Sequence, residues 1–197
     1  MLSGTALSVL YKNLGYTDTQ IALWTGVIVL PWSFKPLWGP FLEMFRSRRY
    51  YIYMTQLLAG LCFLLAGFSL YTDHFFPLSV CLFFLLAFFG ATQDMAADGM
   101  YLAELSAKDQ ARWVGWQGTF YNVSKVFSNG GMVFLAGTLI AAMGNFKAWS
   151  IVLGLYALVM ILVSFYSMRV LPRTESERTD QSVSGILNTL QDVIRSF

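Results

Sequence analysis

Apolar residues in this chain come in long blocks separated by short polar stretches, and the block lengths match a membrane rather than a soluble core. A hydrocarbon layer of about 30 Å takes about 20 residues of helix. Runs of that size lie at about 21–42, 50–70, 76–104, 112–142 and 148–168, which predicts five spanning helices. The third and fourth exceed what one crossing needs, so tilt or extension beyond the bilayer is expected for them. Residues 1–11, MLSGTALSVLY, are apolar but too few to cross. They read as the end of a first helix cut short by a fragment, a truncated gene or a mis-assigned start. Counting it gives six helices.

The basic residues orient these spans. One set of flanks carries Arg46, Arg48, Arg49, Lys108, Arg112, Arg169, Arg173 and Arg178, and the opposite set only Lys12 and Lys147. Cytoplasmic flanks collect lysine and arginine, so segments 43–49, 105–112 and the tail after 169 are predicted inside. Loops 12–20, 71–76 and 143–147 are then outside. Pro172 ends the last span, and the following sequence turns polar. The organisation expected is a transmembrane bundle over 1–170 and a cytoplasmic linker over 171–197. In that linker Ile186, Leu187, Leu190, Val193, Ile194 and Phe197 recur at helical spacing. They predict a short amphipathic helix lying on the membrane surface, against the alternative of a frayed end.

Composition agrees: 56% of residues are hydrophobic and 12% charged, about half the charged share of a soluble domain. A net charge of +2, without a basic run interleaved with aromatics, argues against a nucleic-acid partner. Cys62 and Cys81 lie in apolar runs and read as small buried hydrophobes, not as a disulfide or metal site. No signal peptide is visible. There is no HExxH, nucleophile elbow or phosphate-binding loop, so no enzyme is expected and no cofactor is implied. The single histidine, His74, falls in an external turn.

Four charges fall inside the apolar blocks. Asp94 and Asp98 are one helical turn apart, on one face. At about 1.5 Å per residue, Asp94 lies about 15 Å from the cytoplasmic end of its span, Asp98 about 9 Å, Lys35 about 12 Å and Lys125 about 20 Å. Carboxylates at such depth persist where they face a bundle interior or a wet cavity. Asp94 reads as a proton or solute residue, or as one half of a static pair with Lys125 or Lys35. Asp98 takes the same roles, or pairs with Arg48, Arg49 or Arg112. Lys35 pairs or snorkels to the surface. Lys125 is too deep to snorkel, which leaves pairing or anion binding. Tyr121, Ser124, Lys125 and Ser128 share a polar stripe that lines a cavity or a hydrogen-bonded helix interface. Gln93, beside Asp94, is a further cavity candidate. Gly115, Gly118, Gly130, Gly131 and Gly137 are expected to permit close helix packing, and Pro31, Pro36 and Pro40 to bend their span.

Two segments carry a resemblance. Gly39-Pro-Phe-Leu-Glu43-Met-Phe-Arg46-Ser-Arg48-Arg49 resembles the cytoplasmic loop signature of the major facilitator superfamily, G-x-L-A-D-R-x-G-R-R-R, with Met44 and Arg46 as departures. Pro36-Leu-Trp38-Gly-Pro40-Phe-Leu-Glu43 and Ala91-Thr-Gln-Asp94-Met-Ala-Ala-Asp98-Gly resemble, more specifically, its AmpG-like branch of muropeptide permeases, acetyl-CoA transporters and siderophore importers. The resemblance covers most of residues 1–170.

It implies an all-α polytopic membrane protein: the six-helix N-terminal bundle, two three-helix repeats, of a twelve-helix transporter with its first helix truncated. It implies a secondary active transporter, with proton-coupled uptake of a polar solute, peptidoglycan fragments first, across a bacterial cytoplasmic membrane. Importers of a siderophore, an acyl-CoA compound or another anion are the alternatives within the branch. A membrane assembly protein without transport is the competing class. In the transport reading Asp94 takes the proton, with Asp98 beside it, and Lys125 and Lys35 hold an anionic group or the paired carboxylate. Gly39, Glu43, Arg46, Arg48 and Arg49 form the gating loop. The partners implied are the solute, protons, the lipid bilayer, and a missing C-terminal half or a second copy.

Overall fold

Helix-forming apolar sequence fills nearly all of the chain, and no strand occurs among the described residues of the computed structural model. It describes residues 4–45 and 47–172, and only the backbone of 40, 41 and 43–45. Arg46 and the amphipathic stretch expected at 186–197 lie outside the described residues. In order come α1 (Gly4–Asn13), α2 (Asp18–Ser33), α3 (Lys35–Phe45), α4 (Arg48–Ser69), α5 (Phe75–Glu104), α6 (Ala107–Val126), α7 (Met132–Met143) and α8 (Asn145–Val170). Four helical runs among these are long and apolar enough to cross a membrane: α4, α5, the continuous run Ala107–Met143, and α8.

The expected span at 21–42 is two helices rather than one. The break falls at Phe34, three residues after Pro31. Pro31 removes a backbone donor and crowds the preceding turn, whereas Pro36 sits in the first turn of α3, where the missing N–H is not needed. The expected fourth span also has an interruption, which its apolar pattern does not predict. Between α6 and α7 lies a π-turn, Phe127–Gly131. A π-turn leaves a carbonyl without its usual partner. Here the Tyr156 hydroxyl of α8 donates to the Ser128 carbonyl at 2.9 Å, and the two hydroxyl oxygens are also 2.9 Å apart.

Side-chain caps start the helices where polar residues interrupt the apolar runs. Thr17 and Gln20 form a reciprocal capping box on α2, while Ser47 and Ser106 accept from the first turns of α4 and α6. Gly144 alone joins α7 to α8 at φ +82°, a backbone conformation that favours glycine.

The core is organised on α4, which packs along α5 on one side and α8 on the other. Close approach to α8 rests on Gly60 and Gly67, two turns apart. A Cβ on Gly60 would lie 2.8 Å from Ile161 Cγ1 and 3.2 Å from the Ala157 carbonyl. Ser164 donates to the Tyr53 carbonyl at 2.7 Å, and Ser150 to that of Gly67 at 3.1 Å. Small residues and hydroxyls of this kind hold helices together in lipid. The glycines expected to do so, Gly115, Gly118, Gly130, Gly131 and Gly137, meet no neighbouring helix within 4 Å. Cys62 is buried in the core, but Cys81, also expected there, is exposed.

The end remote from the arginines is closed by α1. Tyr11, fully buried, bonds Ser79 of α5 at 3.0 Å and meets Phe75, Phe76 and Phe83 edge-on. Asn145 donates to the Asn13 carbonyl at 2.8 Å, tying α1 to the start of α8.

Candidate functional site

The break after Pro31 sets the site. Lys35 is the first residue of α3, so it leaves the helix beside the interruption and reaches α5, where its Nζ forms an ion pair with Asp94 Oδ2. The ammonium also lies 4.2 Å from the centre of the Trp32 ring. An ammonium over an aromatic face gains from the ring quadrupole, the more so away from bulk water. The lysine side chain is 23% exposed and the aspartate 45%. The pair is therefore sheltered but not sealed.

One face of α3 holds this register. Lys35, Trp38 and Gly39 are spaced i, i+3, i+4. Trp38 packs on Phe88 of α5 with ring centroids 4.8 Å apart, and a Cβ on Gly39 would lie 3.5 Å from Met95 Sδ. The Trp38 indole N–H is buried with no hydrogen-bond partner among the described residues. Trp32 and Trp38 thus flank Lys35 at three residues on either side.

At the basic end, the twin arginines opening α4 reach in two directions. Arg48 donates to the Gly99 carbonyl of α5 at 3.0 Å, and Arg49 to the Met168 carbonyl of α8. Gly99 matters for the first, since a Cβ there would lie 2.9 Å from Arg48 Nε. Asp98 forms no ion pair with Arg48, Arg49 or Arg112, the partners considered for it; Arg112 lies over the Trp113 ring instead. Asp98 is exposed, within electrostatic range of Asp94 and Lys35. The side chain of Glu43 and all of Arg46 lie outside what is described, so of the gating residues only Gly39, Arg48 and Arg49 have described contacts.

Lys125 does not join the charge layer expected for it. Every residue of α6 from Ala111 to Val126 is exposed, and Lys125 lies over the ring of Tyr121, 5.2 Å from its centre. Tyr121 and Ser124 share that open face, with the Ser124 hydroxyl spent on the Tyr121 carbonyl at 2.8 Å. Ser128 turns away from it towards Tyr156 through the π-turn, which rotates the stripe between its third and fourth members. Gln93 is half-buried beside Asp94. Between the basic-end halves of α5 and α6 runs a groove of about 620 Å³, lined by Ala97, Asp98, Tyr101, Trp113, Trp116, Gln117 and Phe120.

The model of the Major Facilitator Superfamily matches residues 1–193 of the chain. No solved structure gives a significant match. The chain belongs to the major facilitator superfamily, a family of secondary transporters, and is a multi-pass membrane protein whose partners are a solute and the lipid bilayer.

Proposed function

We propose that this member of the superfamily is the solute- and proton-handling bundle of an AmpG-like importer in a bacterial cytoplasmic membrane, taking up a polar solute, peptidoglycan fragments first, in symport with protons. The observation that carries the reading is the Lys35–Asp94 pair. It bridges a short helix beside a proline-induced break to a long continuous helix. Protonation of Asp94 removes the charge that holds Lys35. α3 then separates from α5 at its hinge, and the freed ammonium takes an anionic group of the solute. The aromatic contact with Trp32 keeps Lys35 in place during the exchange. Arg48 and Arg49, bonded to carbonyls of two different helices, serve as the cytoplasmic latch of the gating loop.

The open face of α6 supports a partner bundle. Lys125 is exposed there at membrane depth, where acyl chains cannot satisfy its charge. A second six-helix bundle covers that face, supplied by further chain or by a second copy.

The test is uptake of labelled anhydromuropeptide by cells that lack their own permease and express the gene over its full genomic extent. Protonophore-sensitive uptake by the wild type, abolished by Asp94→Asn, is the expected result. A well-expressed wild type without uptake removes the muropeptide assignment. Uptake indifferent to protonophore removes proton coupling.

A further inference from the structure

The groove between α5 and α6 holds a carboxylate that the pair described above does not use. Asp98 lines it together with Tyr101, Trp113, Trp116 and Phe120, and Gln117 supplies an amide. Asp94, one turn away, is paired with Lys35, and Asp98 is the charged residue of the groove lining itself. Of the nearest cations on neighbouring elements, Arg48 donates to the Gly99 carbonyl and Lys125 lies over Tyr121, beyond the lining residues. Arg112 lies over the Trp113 ring, 5.4 Å from its centre, so that wall already carries a cation. Trp116 and Phe120 present two rings tilted by 31° with centroids 6.1 Å apart.

We propose that this groove binds the ammonium group of the transported solute, with Asp98 as counter-ion and the Trp116 and Phe120 rings as its walls. Aromatic faces and one carboxylate are the chemistry that recognises an organic cation: the rings attract its charge and cover its alkyl surface, and the carboxylate fixes its position. Acyl chains fit the rings but not Asp98, and a neutral solute fits the rings but leaves the carboxylate unpaired. This rests on the importer reading and deepens it. With Lys35 taking an anionic group, Asp98 makes the solute one that carries both charges, as an amine-bearing peptide does.

The test reads binding alone and needs neither a gradient nor a muropeptide, so its outcome is separate from that of the uptake experiment. The purified full chain in detergent is titrated with choline and with 3,3-dimethylbutanol, its neutral isostere, while tryptophan fluorescence is followed. Choline should give a saturable change that the isostere does not. Asp98→Asn should weaken it by about tenfold, and Trp116→Leu by about threefold, as loss of a counter-ion and of one ring predicts. Equal responses to choline and isostere, no saturable response, or full affinity in both variants would each overturn the proposal. The same titration in nanodiscs separates a solute from a lipid headgroup. Choline binding in phosphatidylglycerol that survives in phosphatidylethanolamine supports the solute site, and its loss in phosphatidylethanolamine overturns it in favour of the lipid. If Asp98→Asn does not fold, Trp116→Leu and the isostere decide.

Discussion

Gly60→Ala and Gly118→Ala are the same substitution on two membrane helices, and the structure gives them opposite signs. At Gly60 the added methyl carbon would lie 2.8 Å from Ile161 Cγ1 and 3.2 Å from the Ala157 carbonyl. Neither neighbour is the free end of a long side chain, so α4 and α8 must move apart. Overpacking of this kind costs about 1–3 kcal/mol. Alanine recovers about 0.5–1 kcal/mol of helix propensity, leaving a net destabilisation of about 1 kcal/mol at the middle of both ranges. At Gly118 nothing lies within 4 Å, and only the propensity gain remains. The assay uses Cys62, buried on the same helix α4, as the reporter of unfolding, in a Cys81→Ser background that removes the exposed thiol. A thiol-reactive fluorophore then gives a melting curve in detergent. Gly60→Ala should lower Tm by about 2–4 °C, at about 2–4 °C per kcal/mol for a chain of this length. Gly118→Ala should leave Tm unchanged or raise it slightly. Ile161→Ala, which removes the clashing carbon, should make Gly60→Ala less costly than it is alone. A Gly60→Ala protein as stable as Gly118→Ala would refute the assignment of the α4–α8 contact.

Gly99→Ala should push the Arg48 guanidinium off the Gly99 carbonyl and lower stability by about 1 kcal/mol, the worth of one such bond. Arg48→Lys should lose a similar amount, and the double variant little more than either, which the same melting assay reads. Tyr156→Phe strips the π-turn of its donor to the Ser128 carbonyl and should cost about 1–2 kcal/mol. Trp38→Phe keeps the ring contact with Phe88 while deleting a buried N–H that has no partner among the described residues, so it should cost less than about 1 kcal/mol.

Block length and terminal caps made most of the architecture legible. The apolar runs at 50–70, 76–104 and 148–168 correspond to α4, α5 and α8, because a crossing fixes helix length so tightly. The bend near Pro31 was legible for the same local reason: proline acts on its own turn. The π-turn was not, since the Ser128 carbonyl is satisfied by Tyr156, 28 residues away and on another helix. The glycines misled for a similar reason. Spacing says which glycines share a face, but only packing says which face meets a neighbour, and α6 meets little. Of the charges, depth singles out Asp94 and leaves both lysines as partners for it. The choice of Lys35 depends on the break at Phe34, which aims the first residue of α3 at α5. Lys125, deeper by residue count, lies on a face that counting along the helix cannot orient.

The Lys35–Asp94 pair as the element that couples protons to solute is tested most directly by Lys35→Gln/Asp94→Asn, which removes both charges and leaves neither buried alone. The measurement is protonophore-sensitive accumulation of labelled solute, in cells where the variant inserts at wild-type levels. The account predicts that accumulation is lost although the protein folds. Accumulation at the wild-type rate would contradict it and reduce the pair to a packing contact.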